Sequence, residues 1–376
     1  MLHGRIAIRC NHLLAAAGLA SVAALVVLAR RRRWTGGQHR VRAAFDIGSG
    51  QHKLCVAVVD ASTGTLVRKL HEEQQQVLLN HDLVQNGDQL SGDVLARSWD
   101  VLSRFRVAAA AAGAREFSGI ATAVFRRAAN GEAYLARANE ELGLNLRLVS
   151  QQLEGELGFL AAATGSPEKS LSSLIAWDSG GGSYQISARV GGEVRVWKGS
   201  VGDSNVTAEL LAIQGRTFEG STHGTRSTPN PVSMAQAELL MRELDEKLLP
   251  AQVPEWLRDQ LAAPESELVG FGERTSIFSL ACHICRDRDF GNGARELTPQ
   301  MAWRAVEQCV DRSDAQLCAE HGPLFDEEDL VLPKLLLLCA LMARLGVSRM
   351  REVRTMGNCE GVLVCPKLWS AHWARY

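Results

Sequence analysis

Apolar and polar positions along this chain follow two periods, and the period-two stretches come in pairs. Ala43–Asp60 reads AAFDIGSGQHKLCVAVVD: an apolar run, a turn holding Asp46, Gly48, Ser49 and Gly50, then a second apolar run. Ala176–Ser187, AWDSGGGSYQIS, repeats the design with Asp178, Gly180, Gly181, Gly182 and Ser183 in the turn. Apolar flanks around a glycine turn predict strand–turn–strand units. Further strands are predicted within Leu66–Leu79, at Phe117–Ala123, Leu146–Ser150 and Val194–Lys198, and at Leu268 before a Gly-Phe-Gly turn. Helical spacing takes over at Leu95, Trp99, Leu102 and Phe105, predicting a helix over Leu95–Ala111. The same period marks Ala133–Leu142, Gln151–Ala163 (apolar face Leu153, Leu157, Leu160) and Asn205–Ala212. Ser233 and Gln236 form a capping-box pattern opening a helix to about Leu249, and Thr298-Pro299 opens another. Leu330–Leu345 is an apolar helix carrying Lys334, too short to cross a bilayer and read as core. Gly215–Pro231 has no period and is rich in Gly, Ser, Thr and Pro, which predicts a mobile loop.

Strands alternating with helices over 376 residues leave room for two α/β domains sharing a cleft. The net charge of −1 conceals an asymmetry. Residues 1–42 hold eight arginines and no acid, leaving 33 of the 41 basic residues against all 42 acidic ones in the remainder. A body this acidic is no nucleic-acid binder, which needs a basic face. Any polyanion must be gripped by local loops and metal. The nine cysteines, an odd number without regular spacing, suit free thiols better than a disulfide framework. Cys282-His-Ile-Cys285 has no second pair at zinc spacing, and core packing is preferred there over metal or redox work.

Leu13–Ala29 is uncharged and followed at once by Arg30–Arg33. As a helix it would measure about 26 Å, against about 30 Å for a typical hydrocarbon core. A single-pass anchor with the globular part in the cytoplasm is the favoured expectation, because the arginines flank the inner end. A mitochondrial or plastid transit peptide competes with it, and a cleaved secretory signal stands third. Residues 1–40 therefore read as an anchor or targeting segment with an Arg-rich linker, 41–163 as a first lobe and 164–376 as a second.

The chemistry lies in the two turns. Glycines 180–182 leave the backbone free for positive φ and for close approach of a ligand, and successive bare N–H groups make an anion-binding concavity. Asp178 can hold a divalent cation over a phosphate. A plain hairpin is the alternative for either turn alone; two copies facing one another would grip a phosphate chain from both sides.

The pair resembles the two phosphate loops of the acetate and sugar kinase/Hsp70/actin superfamily, and more narrowly the exopolyphosphatase/guanosine pentaphosphate phosphatase (Ppx/GppA) family. Ala121–Gly131, ATAVFRRAANG, resembles that family's A-T-x-A-L-R-x-A-x-N-G, with Arg126 on its arginine. Ser150–Leu157, SQQLEGEL, resembles S-G-x-E-E-A-R-L, with Glu154 on the second glutamate. Ser200-Val-Gly202, Leu268–Thr275 and Glu360–Leu363 resemble further family segments in the same order. The resemblance covers roughly residues 41–365. It implies an actin-like ATPase (ribonuclease H-like) fold of two lobes, and metal-assisted hydrolysis of a phosphoanhydride in inorganic polyphosphate or a guanosine polyphosphate. Glu154 would be the general base, Asp46 and Asp178 would hold Mg²⁺, and Gly48, Ser49, Arg126, Gly180–Gly182 and Ser183 would bind phosphate. By residue chemistry alone, Arg126 could equally be a surface ion pair and Glu154 a solvated helix glutamate. The chain departs from the family at Gln185, Asn205, Glu273-Arg274, Lys334 and Cys359. A phosphate or nucleotide sensor that kept the cleft and a small-molecule kinase of the superfamily are the other expectations, and a homodimer is left open.

Overall fold

The computed structural model describes residues 39–168, 170–216, 228–285, 296–322 and 330–370. The segment at 13–29 and most of the loop at 215–231 lie outside the described residues. No helix among the described residues is long and apolar enough to cross a membrane.

The first sheet is built from β1 (His39–Ile47), β2 (Gln51–Asp60), β3 (Thr65–Gln76), β4 (Glu116–Ala121) and β5 (Leu146–Leu148), in the order β3-β2-β1-β4-β5. The second uses β6 (Leu174–Ser179), β7 (Tyr184–Val190), β8 (Glu193–Gly199), β9 (Glu267–Gly272), β10 (Glu296–Leu297) and β11 (Met350–Arg354), in the order β10-β11-β9-β6-β7-β8. The two share one plan: an antiparallel meander of three strands, then parallel strands added on the other side of its first member. The predicted pair of strand–turn–strand units is this repeat. In both sheets the first strand carries the turn aspartate, and strands buried on both faces read as near-continuous apolar runs. Phe45, Leu54 and Val56 pack under the Gly92–Ala111 helix, while Trp177, Ile186 and the Val331–Leu345 helix fill the second core.

The Gln151–Gly165 helix joins the halves. Leu157 packs with residues of the first sheet, and Phe159, Ala161 and Ala162 pack with β6 and β9. It starts where the sequence places it, because the Ser150 hydroxyl accepts from the Leu153 N–H at 3.2 Å; that cap ends β5 at Leu148. Near the end of the chain, the Cys359–Val364 helix returns to pack on β1 and β2.

Some boundaries differ from the sequence reading. The strand expected through Leu79 stops at Gln76, because Leu78 takes φ 60° and the N–H groups of Val77 and Leu78 donate to the Gly50 carbonyl. A helix, Leu79–Gln85, follows. The strand expected at Phe117–Ala123 ends at Ala121, and Arg126 lies in the short helix that follows, Ala123–Arg127. The capping box at Ser233 and Gln236 is present, but that α-helix ends at Glu243 and continues as a π turn over Leu244–Leu248. Cys282 and Cys285 are free thiols around the Ile277–Ile284 helix, and Cys285 is buried in the core, as expected.

Candidate active site

Both glycine turns open onto one cavity of about 110 Å³. A Cβ on Gly181 would come within 3.8 Å of Ser49 Cβ, and one on Gly182 within 3.8 Å of Ser49 Oγ, so the turns face each other at close range. Ser49, Gly50, Gly181 and Gly182 line this cavity, and their N–H groups find no acceptor among the described residues. Bare amides around a polar void are what an anion needs. Ser179 Oγ and Asn358 Oδ1 are also buried there without a partner.

One expectation is corrected. None of Gly180, Gly181 and Gly182 takes a positive φ. Glycine serves close approach here: a side chain would project into the cavity, and at Gly202 a Cβ would meet Gly180 O and Gly182 N at 2.3 Å. The loop lies on the N-terminus of the Asp203–Ile213 helix, whose Asp203 and Ser204 N–H groups donate to the carbonyls of Gly180 and Gly181 at 3.3 and 3.0 Å. Asn205 caps that helix by accepting from Gly202 N–H at 3.0 Å.

The strand register sets the charges. Asp46 stands opposite Lys53 in the first hairpin, and Asp178 stands opposite Gln185 at the equivalent position of the second. Both aspartates are bridged by one residue, Asn358. Its N–H donates to Asp46 Oδ2 at 3.1 Å and its Nδ2 to Asp178 Oδ2 at 3.3 Å. Gly357 brings it there, with φ 59° and no room for a Cβ, which would lie 2.7 Å from Asp46 Oδ2 and 2.8 Å from Lys53 Nζ. Lys53 reaches across the cleft to Glu273 Oε2 at 3.0 Å, and Gln51 to Thr275 Oγ1 at 3.2 Å. Burial would discharge the Lys53 ammonium, but the carboxylates of Glu273, Asp46 and Asp178 outweigh it and hold the ammonium charged. Burial raises Asp46, and raises Asp178 to about 6.

Glu154 lines the same cavity, 6% exposed, in the first turn of its helix. Burial lifts its carboxyl to about 7 despite the neighbouring Arg126 guanidinium. Arg126 Nη1 donates to Glu154 Oε2 at 2.9 Å and to the Val149 carbonyl at 2.8 Å. Of the residues singled out from the sequence, Asp46, Gly48, Ser49, Glu154, Asp178, Gly180–Gly182 and Ser183 line one cavity. Arg126 is absent from the lining, and its contact is with Glu154. Gln185 Nε2 donates to the Ser183 hydroxyl at 3.2 Å. Lys53, Glu273 and Asn358 carry the electrostatics, and the sequence does not mark them as site residues. Their signals are faint: Lys53 follows from hairpin register once Asp46 is fixed, and Asn358 from the Gly-Asn pair before the closing helix.

A divalent cation fits the donors. Five carboxylates, Asp46, Glu154, Asp178, Asp203 and Glu273, line the cavity with two ammonium groups, Lys53 and Lys334. Asp46 and Asp178 each spend one oxygen on Asn358 and keep the other, and Mg²⁺ takes one or two such carboxylates alongside phosphate and water. Among the described residues Cys55, Glu72 and Glu360 also gather ligand-type atoms, but Lys69 already bridges Glu72 at 2.7 Å and Glu360 at 2.5 Å.

Residues 57–202 match the sequence model of the Ppx/GppA phosphatase family. The match includes Arg126, Glu154 and the second turn and begins after the first. Among solved structures, the Ppx/GppA family member of Aquifex aeolicus superposes with TM-score 0.62 at 18% identity, covering 87% of this chain and 97% of that one. An exopolyphosphatase from Cytophaga hutchinsonii gives TM-score 0.66 at 17% identity, covering 86% and 96%. At such identities these likenesses establish the fold.

Proposed function

We propose, for a chain that groups with the Ppx/GppA phosphatase family of the actin-like ATPase superfamily, hydrolysis of the terminal phosphoanhydride bond of inorganic polyphosphate or a guanosine polyphosphate. The observation that carries this reading is the convergence of two glycine turns and one buried carboxylate, Glu154, on a single cavity. The terminal phosphate sits between the turns, its oxygens on the bare N–H groups of Gly181, Gly182, Ser49 and Gly50 and on the hydroxyls of Ser49 and Ser183. Glu154 takes a proton from water as the water oxygen attacks phosphorus, and the remaining chain leaves as a phosphate anion. Arg126 orients the Glu154 carboxylate and favours its ionised form against the effect of burial. Asp46 and Asp178 would hold Mg²⁺, which supplies charge neutralisation at the phosphoryl oxygens.

Phosphate release by the full chain from long-chain polyphosphate, guanosine pentaphosphate and ATP, with Mg²⁺ and with chelator, tests the reading. Turnover of ATP alone, or of none of the three, would overturn it. A sensor is the second reading, favoured by Gln185, an amide opposite Asp178 where the family carries a carboxylate. Gln185→Glu adds a third metal-type carboxylate beside Asp46 and Asp178 and is expected to raise Mg²⁺-dependent turnover severalfold; tight Mg²⁺-dependent binding with no turnover in either protein supports the sensor.

Gly181→Val tests the grip itself. The new side chain enters the space between Gly181 and Ser49, with its Cβ 3.3 Å from Asp203 Oδ1, while the backbone φ stays acceptable. Folding is expected to survive and polyphosphate affinity, measured by calorimetry, to fall at least tenfold. Unchanged binding would move the site elsewhere.

A further inference from the structure

β9 and β11 run parallel as neighbours and end beside the cleft, with Arg354 paired to Gly272 in the ladder. Ligands of open α/β sheets bind beyond the carboxyl ends of such strands. Past these two ends lies a groove of about 540 Å³. Glu273 and Thr275 line both this groove and the cavity between the glycine turns, so the two are adjoining.

Three acids and three cations line the groove, but they pair unevenly. Each acid on its wall already lies against a cation, although Lys69 and Lys53 are shared with further carboxylates. Glu72 takes Lys69 at 2.7 Å, Glu73 lies 3.2 Å from His71 and 3.6 Å from Arg104, and Glu273 lies 3.0 Å from Lys53. Two cations are left over. Arg274 and Arg354 line the groove, are exposed, and have neither an acid nor a hydrogen-bond partner among the described residues. Arginine forks match phosphate oxygens two at a time. Among the described residues the groove has no aromatic wall and a single apolar side chain, Met356, so it offers a nucleobase no aromatic stacking surface.

We propose that Arg274 and Arg354 form a second anion subsite, which takes the inner phosphates of an inorganic polyphosphate chain whose terminal group lies between the glycine turns. This rests on the phosphatase reading above and narrows it to an extended, base-free substrate. The terminal cavity holds little more than the reacting group, and the groove carries the chain out past Thr275.

The test compares the full chain with its Arg274→Ala/Arg354→Ala double variant, using long-chain polyphosphate, pyrophosphate and guanosine tetraphosphate. Removing two exposed cations together should weaken long-chain affinity, and raise its KM, about tenfold at low salt. Pyrophosphate affinity should change less than twofold, and kcat should hold. The Arg274→Lys/Arg354→Lys variant should keep part of the long-chain affinity. Equal loss for both lengths, or no loss for either, overturns the subsite while leaving the phosphatase reading intact. A loss confined to guanosine tetraphosphate makes the groove a nucleotide seat and also overturns it. A wild-type chain that neither binds nor hydrolyses polyphosphate overturns the subsite, and one that also leaves guanosine polyphosphates intact overturns the phosphatase reading with it.

Discussion

Glu154→Gln is expected to lower phosphate release by about 10²–10⁴-fold, a barrier increase of about 3–5 kcal/mol, with substrate affinity nearly unchanged. Glutamine keeps an oxygen for the Arg126 guanidinium, so the pair at 2.9 Å becomes a neutral acceptor contact and the helix start is preserved. What it cannot do is accept the proton. The pH profile makes the assignment specific. Burial raises the Glu154 carboxyl from 4.5 to about 7, with Arg126 opposing. A base works only when ionised, so wild-type turnover should rise with pH through about 7 and level off above it. Residual turnover of the variant should lack that inflection. Arg126→Met should move the inflection to higher pH, since it removes the charge that favours the carboxylate. Full activity of Glu154→Gln at pH 8 would refute the mechanism.

The repeated unit is plain in the sequence because both copies combine an apolar strand, an aspartate and small turn residues, a pattern that depends only on local geometry. The meeting of the two turns, with Asp46 and Asp178, follows from it, whereas Glu154 is marked only by the family resemblance. The partners of those carboxylates do not. Lys53 looks like a strand residue of an outward face, and only the register opposite Asp46 brings its ammonium inward. Asn358 lies more than three hundred positions from Asp46 in the chain, and no periodicity records a contact of that kind. The chemistry of Arg126 leaves a phosphate fork and an ion pair equally open; the short helix after Thr122 brings its Nη1 to Glu154. The glycines of the second turn suggest a backbone reason, positive φ, when their reason is the space they leave. Composition cannot distinguish the two.

Lys53→Met should be the most destabilising single change in the site. The substitution leaves Glu273, Asp46 and Asp178 buried without the cation that each of them faces. Breaking a buried pair by removing one partner costs about 3–5 kcal/mol. The side chains of Lys53 and Glu273 are 18% and 11% exposed, so solvent screening trims that figure only modestly. The pH dependence has a definite sign. Lys53 is raised above 10.5, so its contribution is present below that value and is lost as pH rises through the higher folded one. Burial pushes Glu273 up, but Lys53 and its other partners bring it below 4.5, so its contribution is present above 4.5 and is lost as pH falls through the lower folded value. The pair therefore stabilises the fold across neutral pH. In the variant the three carboxyls take up protons more readily, and the stability gap to wild type, measured by urea unfolding, should be widest near pH 8 and narrow toward pH 4. Lys53→Met/Glu273→Gln removes the orphaned charge as well as its partner and should recover a large part of the loss. A gap that does not change with pH, or a double variant no more stable than the single, would mean that Lys53 acts by packing, and that the Lys53–Glu273 bridge does not hold the two halves together.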